Sequence, residues 1–182
     1  MTASTASLHH KILVSACLMG CRVRYNGSSK TLMQAALTQW RQEQRLVIYC
    51  PELAAGLPTP RLPAEIVGGD GAEVLAGHAR VVESDGRDVT QIYTLAAWLA
   101  LHTAQQAGCR YALLSDGSPT CGSQVIYDGR FSGQQQPGAG VATALLRQHG
   151  IAVYSEQQAD ELLAHLNRAE CVSRAKCYFT SE

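Results

Sequence analysis

Neither sign of charge dominates this chain. Its 182 residues carry 15 Lys and Arg against 15 Asp and Glu. No overall field draws it toward nucleic-acid polymers or acidic lipid, although a local basic pocket for a small anion stays open. No apolar run approaches the roughly 20 residues of a membrane span. The opening residues, MTASTASLHHK, lack an apolar signal core and read as a loose leader, so a cytoplasmic protein is expected. Internal repeats, low-complexity tracts and linkers are missing as well. The expected organisation is a disordered leader over residues 1–10, one α/β domain over 11–170 and a C-terminal tail over 171–182.

Histidines at metal-ligand spacing are also lacking. His9 and His10 fall in the leader, and His78, His102, His149 and His165 are scattered. Cysteine, by contrast, is plentiful: seven residues, an odd number. Without a secretory signal, a disulfide framework is not the expectation. Metal binding or redox chemistry competes with the plainer reading of small buried hydrophobes.

Apolar periodicity supplies a fold. Lys11–Ala16, Arg45–Cys50, Cys109–Ser115 and Ile151–Ser155 read as short buried strands. Thr31–Gln44, Val89–Gln106 (capped by Asp88 or Thr90 and stopped by Gly108) and the segment from Gly138 to Gly150 read as helices. A terminal helix begins near Glu156. Residues 51–66 hold four prolines and read as a loop. GAEVL and HARVV, split by Ala76 and Gly77, read as a hairpin. The implied architecture is one mainly parallel sheet flanked by helices, Rossmann-like, with a small hairpin excursion.

On that fold Cys17 follows strand one, Cys50 ends strand two, and Cys121 lies six residues past Ser115 at the end of strand three. Ligands of open α/β sheets bind outside the carboxyl ends of the strands, so the three thiols can share one crevice. Three thiolates suit zinc, or a cuboidal iron–sulfur cluster with one iron left free. Three separate buried thiols are the bland alternative. Glu52, Ser118 and a donor-rich loop holding Arg24, Ser28, Ser29 and Lys30 would gather around them.

Six motifs occur in order between Lys11 and about Glu156: SACLMGCRVRYNGSSK, CPELAAGLPTPRLPAEI, DVTQIY, SPTCGS, IYDGRFSG and GAGVATALL. Together they resemble the family catalogued as domain of unknown function 523, whose characterised members are TudS-type thiouracil desulfidases. The resemblance implies a 4Fe-4S cluster held by Cys17, Cys50 and Cys121, with the fourth iron free to take the sulfur of a thiolated pyrimidine. It places the catalytic carboxylate on Glu52 and the catalytic serine on Ser118. The implied reaction is non-redox: water replaces sulfur in 2-thiouracil, 4-thiouracil or 4-thiouridine 5'-monophosphate, giving the uracil product and hydrogen sulfide. A thiocarbonyl sulfur suits a thiophilic iron acting as a Lewis acid. Cluster supply would depend on a cysteine desulfurase. The partner is a small thiolated base or nucleotide, with no nucleic-acid polymer and no membrane.

Three positions depart from the family's usual pattern: Asn26 stands for an aspartate, Ser115 for a lysine and Thr120 for a serine. These bear on substrate choice. Arg24, Ser28, Ser29 and Lys30, running into a helix start near Thr31, suit a substrate phosphate. Arg61 and Glu65 read as an ion pair tying the proline-rich loop down, with lining the pocket as the alternative. Tyr127 and Asp128 lie near the site or merely in a turn. The glycines around Gly138 would offer backbone amides to an anion. Cys21 is a bystander, Cys109 a core thiol, and Cys171 and Cys177 incidental. A non-catalytic cluster- or metal-binding protein, acting as redox sensor or sulfur carrier, is the competing class and has no need of Glu52.

Overall fold

The computed structural model describes residues 10–168. In chain order its elements are β1 (Lys11–Ser15), α1 (Ala35–Gln42), β2 (Leu46–Tyr49), α2 (Pro51–Ala54), β3 (Ala64–Val67), α3 (Gly71–Ala76), β4 (Arg80–Glu83), α4 (Thr90–Ala107), β5 (Cys109–Leu114), β6 (Val125–Tyr127), β7 (Gln135–Pro137), α5 (Val141–Gln148), β8 (Ala152–Ser155) and a last helix, α6, over 159–168.

Strand alternation builds two cores. In β1, Ile12 and Val14 point to one face and pack with Leu37 and Trp40 of α1 and Leu162 and Leu166 of α6. Leu13 points to the other and joins Ala97, Ala100 and Leu101 of α4 and Leu145 and Leu146 of α5. Because β1 is apolar on both faces, it needs strands on both sides and helices above and below. The four parallel strands lie in the order β2-β1-β5-β8, with Val14 opposite Ile48 and Leu113.

That order contains a reversal. The chain leaves β1 through α1 to β2 on one side, then returns through α4 to β5 on the other. The crossover helices lie on opposite faces. A crevice therefore opens beyond the carboxyl ends of β1 and β5, the place where open sheets bind ligands.

Several local expectations give way. Residues 51–66 are not all loop: Pro51 opens α2, where its missing N–H costs nothing, and Ala64 begins β3. GAEVL forms helix α3, not half a hairpin. Asp70 accepts the amide of Ala72, and Glu73 reaches back to the Asp70 amide, a capping box already spelled in the sequence. The strand partner of β4 is β3. Helix α1 starts at Ala35, not Thr31, and residues 31–34 take no regular structure. β2 is an edge strand, which leaves Ile48 40% exposed. β7, antiparallel to β6, has no apolar signature to announce it. His10 is ordered: its ring packs 5.8 Å from that of Tyr111, and its carbonyl accepts a hydrogen bond from Arg45. Residues 1–9, Cys171 and Cys177 lie outside the described residues.

The start of α5 is welded to the loop after β5. The amides of Gly140, Val141 and Ala142 donate to the carbonyls of Gly122, Pro119 and Thr120 at 2.8, 2.8 and 3.0 Å. These amides are thus engaged within the chain, contrary to the anion-binding reading of the glycine run. A Cβ at Gly140 would lie 2.5 Å from the backbone carbon and oxygen of Thr120. Gly140→Ala is expected to destabilise the protein by about 1–3 kcal/mol through overpacking. Urea denaturation measures this, and unchanged stability would show that the weld yields freely.

Candidate active site

Each thiol is placed by the end of a strand. Cys17 sits in a 3-10 turn, Ala16–Met19, directly after β1. Cys50 follows β2 and caps α2. Cys121 lies in the loop after β5. Two side chains shape that loop. The Asp116 carboxylate accepts the amides of Ser123, Gln124 and Val125 at 2.8, 3.0 and 3.2 Å. The Ser118 hydroxyl accepts those of Thr120 and Cys121, both at 3.1 Å. All three thiols line one cavity of about 500 Å³ at the switch point.

Burial pushes each of these thiols above its ordinary pKa, Cys121 most of all. For Cys121 the nearby charges of Glu52, Cys50 and Cys17 push the same way. The opposing influences are the Ser115 hydroxyl and the Arg24 and Lys30 charges at Cys17, the Ser15 hydroxyl at Cys121, and the Leu53 amide, the Arg61 charge and the Glu52 amide at Cys50. Ser15 and Ser115 also bond each other, the Ser115 amide donating to the Ser15 hydroxyl at 3.1 Å. No three cysteine, histidine or acidic side chains among the described residues close tightly enough on one point to hold a single metal ion.

Glu52 is the charged centre. One carboxylate oxygen, Oε2, pairs with Arg61. The other, Oε1, accepts from Thr120 Oγ1 at 2.7 Å and from Ser118 Oγ at 3.4 Å. Arg61 in turn donates to the carbonyls of Val23 and Pro58 at 3.3 and 3.1 Å, so it pins the proline-rich loop. The expected Arg61–Glu65 pair does not form. Glu65 instead accepts the amide of Phe131 at 3.0 Å. Thr120, fully buried, was unmarked in the sequence as a partner of Glu52; 68 residues separate them.

The basic loop divides. Arg24 and Lys30 line the cavity, whereas Ser28 and Ser29 do not. Ser28 bonds Asn26 at 2.6 Å through its hydroxyl, and Ser29 bonds Thr31 at 3.3 Å. Lys30 pairs with Glu156, whose carboxylate also takes the Asp116 amide at 2.8 Å. With α1 starting at Ala35, the basic loop does not run directly into the N-terminus of that helix. Cys21 is exposed and away from the cavity lining, and Cys109 is buried at the start of β5, its thiol pushed up to about 11 by burial. The N-cap of α4 is Val89 rather than Asp88 or Thr90, and Asp88, one residue earlier, accepts the Thr90 amide at 2.9 Å. Tyr127 lines the cavity, while Asp128 holds the turn by accepting from Arg130 and Ser132.

Fold and site together define an α/β protein with a cysteine-lined crevice and a buried, paired carboxylate at its switch point. The chain belongs to the 2-thiouracil desulfurase family, whose model matches residues 12–158. It is 43% identical over 152 residues to the uncharacterized protein YbbK of Bacillus subtilis (strain 168), covering 84% of this chain and 99% of that protein. A solved structure of the 4Fe-4S-dependent thiouracil desulfidase TudS matches with a TM-score of 0.79 at 48% identity, over 87% of this chain and 98% of that one.

Thr120→Val removes a buried donor to a charged acceptor without changing the side chain's size. It should destabilise the protein by about 1–3 kcal/mol, and Thr120→Ser should restore most of that. Equal stability of the Val variant and the wild type in urea would show that Glu52 does not depend on this bond.

Proposed function

We propose that this chain is a 4Fe-4S-dependent thiouracil desulfidase. The observation that carries the reading is the convergence of Cys17, Cys50, Cys121 and Glu52 on one switch-point cavity in a member of the 2-thiouracil desulfurase family. The donor set fits the group: three soft sulfur ligands, no competing histidine on the cavity wall, and room for a small ring beside them. The three cysteines would hold the cluster through three of its irons. A cluster so held would supply a thiophilic Lewis acid for the sulfur of the substrate.

The protein's own residues do the rest. The net reaction is thiouracil plus water to uracil plus hydrogen sulfide, so no electron is needed. Glu52, an acceptor in its pair with Arg61, takes the proton from the attacking water. Arg61 and Thr120 hold the carboxylate still while it does so. Ser118, within 3.4 Å of the same oxygen, positions the water or the ring. Arg24 at the cavity wall offers a charge to the phosphate of 4-thiouridine 5'-monophosphate. Lys30 contributes less, because Glu156 already occupies it. The alternative substrates are the free bases 2-thiouracil or 4-thiouracil. Cluster supply comes from cysteine-desulfurase machinery, and the setting is the cytoplasm.

Two experiments test this. After anaerobic reconstitution, the wild type should carry about four irons per chain and release sulfide from a thiopyrimidine. Glu52→Gln should keep the iron and lose turnover. Turnover retained in that variant would remove Glu52 from the chemistry, whereas iron in the wild type without sulfide release would leave a cluster-binding protein of another kind. Separately, Arg24→Gln should weaken 4-thiouridine 5'-monophosphate at least about tenfold more than the free base. Equal losses for both would show that Arg24 does not meet a phosphate.

A further inference from the structure

One buried carboxylate on the cavity wall has no part in the chemistry above. Glu65, in β3, is 7% exposed and lines the cavity. No cation pairs with it among the described residues. Among the described residues its one hydrogen bond is that from the Phe131 amide to Oε2, at 3.0 Å. Oε1 has no protein partner among the described residues and is open to the cavity. A carboxylate oxygen that faces a ligand cavity with only water to donate to it is free to accept an N–H from a bound ring.

The surroundings hold Glu65 fixed. Phe131 has a φ of +55°, a left-handed backbone that bulky residues rarely adopt. Its turn is fastened on both sides. Asp128 accepts from the Arg130 amide at 3.0 Å and from the Ser132 hydroxyl at 2.9 Å. Gly129, with φ +80°, lies so close to the Ile66 carbonyl that no Cβ fits. A strained residue persists when its neighbours over-determine it, and such sites gather around ligands. The strained turn aims the Phe131 amide at Oε2, which orients the other oxygen.

We propose that Glu65 Oε1 accepts the ring N3–H of the pyrimidine and so selects for a ring with an unsubstituted lactam or thiolactam nitrogen. This rests on the desulfidase reading for the identity of the ring. The chemistry is shared by every substrate proposed: 2-thiouracil, 4-thiouracil and 4-thiouridine 5'-monophosphate all carry N3–H, between C2 and C4. N1–H is lost in the nucleotide and cannot serve all three. An acceptor at N3 fixes the ring in its plane whichever carbon bears sulfur.

Glu65→Gln tests this. The amide oxygen of glutamine still accepts the Phe131 amide, while its NH₂ faces the ring as a donor against a donor. Calorimetry on the reconstituted protein, with uracil and 3-methyluracil as probes, should show the wild type binding uracil at least about tenfold more tightly. The Gln variant, with iron content and denaturation midpoint intact, should bind uracil at least about tenfold more weakly than the wild type and lose the preference. Equal binding of the two probes by the wild type, binding of neither, or an unchanged preference in the variant would each overturn the assignment. Should Glu65→Gln lose its iron or fold poorly, Glu65→Asp decides: its shorter reach should likewise weaken uracil, and an unaltered preference counts against. Sulfide release distinguishes the two ideas. Release without an N–H preference overturns this inference alone, and an N–H preference without release overturns only the desulfidase reading.

Discussion

The site depends on one buried charge. A carboxylate taken out of water must be paired and hydrogen-bonded or it costs several kcal/mol. Glu52 meets that demand by drawing on two distant segments: Arg61 from the proline-rich loop, and Thr120 and Ser118 from the loop after β5. Two of the three thiols ride on the segments so joined. Cys50 stands two residues before Glu52, and Cys121 directly follows Thr120. Satisfying the carboxylate therefore assembles the thiol site. Removing Arg61 would strand the charge, and removing Glu52 would leave a buried guanidinium. The pair works as a clasp on the geometry more than as a source of net stability.

The clasp sits in a frame with few free degrees of motion. The loop that carries Cys121 is held from below by the amides at the start of α5, from inside by Asp116 and Ser118, and from the side by Glu156 through the Asp116 amide. Lys30 joins the same carboxylate, so the loop after β1 is tied to the loop after β5 beyond the strands. The three thiols resist ionisation through burial and through neighbouring negative charge: Cys50 acts on Cys17, Glu52 on Cys50, and Glu52, Cys50 and Cys17 on Cys121. A cationic group that binds them supplies the missing compensation and displaces their protons. The fold thus presents three thiols that share one cavity yet are costly to charge on their own.

The parallel sheet was legible because β1, β2, β5 and β8 are short apolar runs separated by helical periods, and that pattern permits few topologies. Cys17, Cys50 and Cys121 followed from the topology, since each ends or trails a strand. What stayed hidden was decided by tertiary contacts. α3 was misread because alternation in GAEVL outweighed its capping box. β7 is a strand only because β6 offers it a ladder. Arg61 was matched to Glu65, four residues away, when its true partner lies nine residues back across a turn. Thr120 reads as ordinary loop polarity until the fold brings Glu52 to it.

The three departures from the family's usual pattern also acquire physical content. Asn26 accepts the Ser28 amide at 3.1 Å and the Ser28 hydroxyl at 2.6 Å through its side-chain oxygen. An aspartate would use a carboxylate oxygen in the same way, so the turn survives the exchange. Thr120 supplies the closer of the two hydroxyls that Glu52 accepts from, as a serine would, and its extra methyl fits a fully buried site. Ser115 is different in kind. Where a lysine would favour a Cys17 thiolate by charge, the serine does so through a hydroxyl alone. Of the three, this is the one that alters the electrostatics beside a proposed cluster ligand, and it does so on the cavity wall. A difference in substrate handling among relatives is therefore sought first at Ser115, next to the thiol, before the basic loop whose lysine is already spent on Glu156.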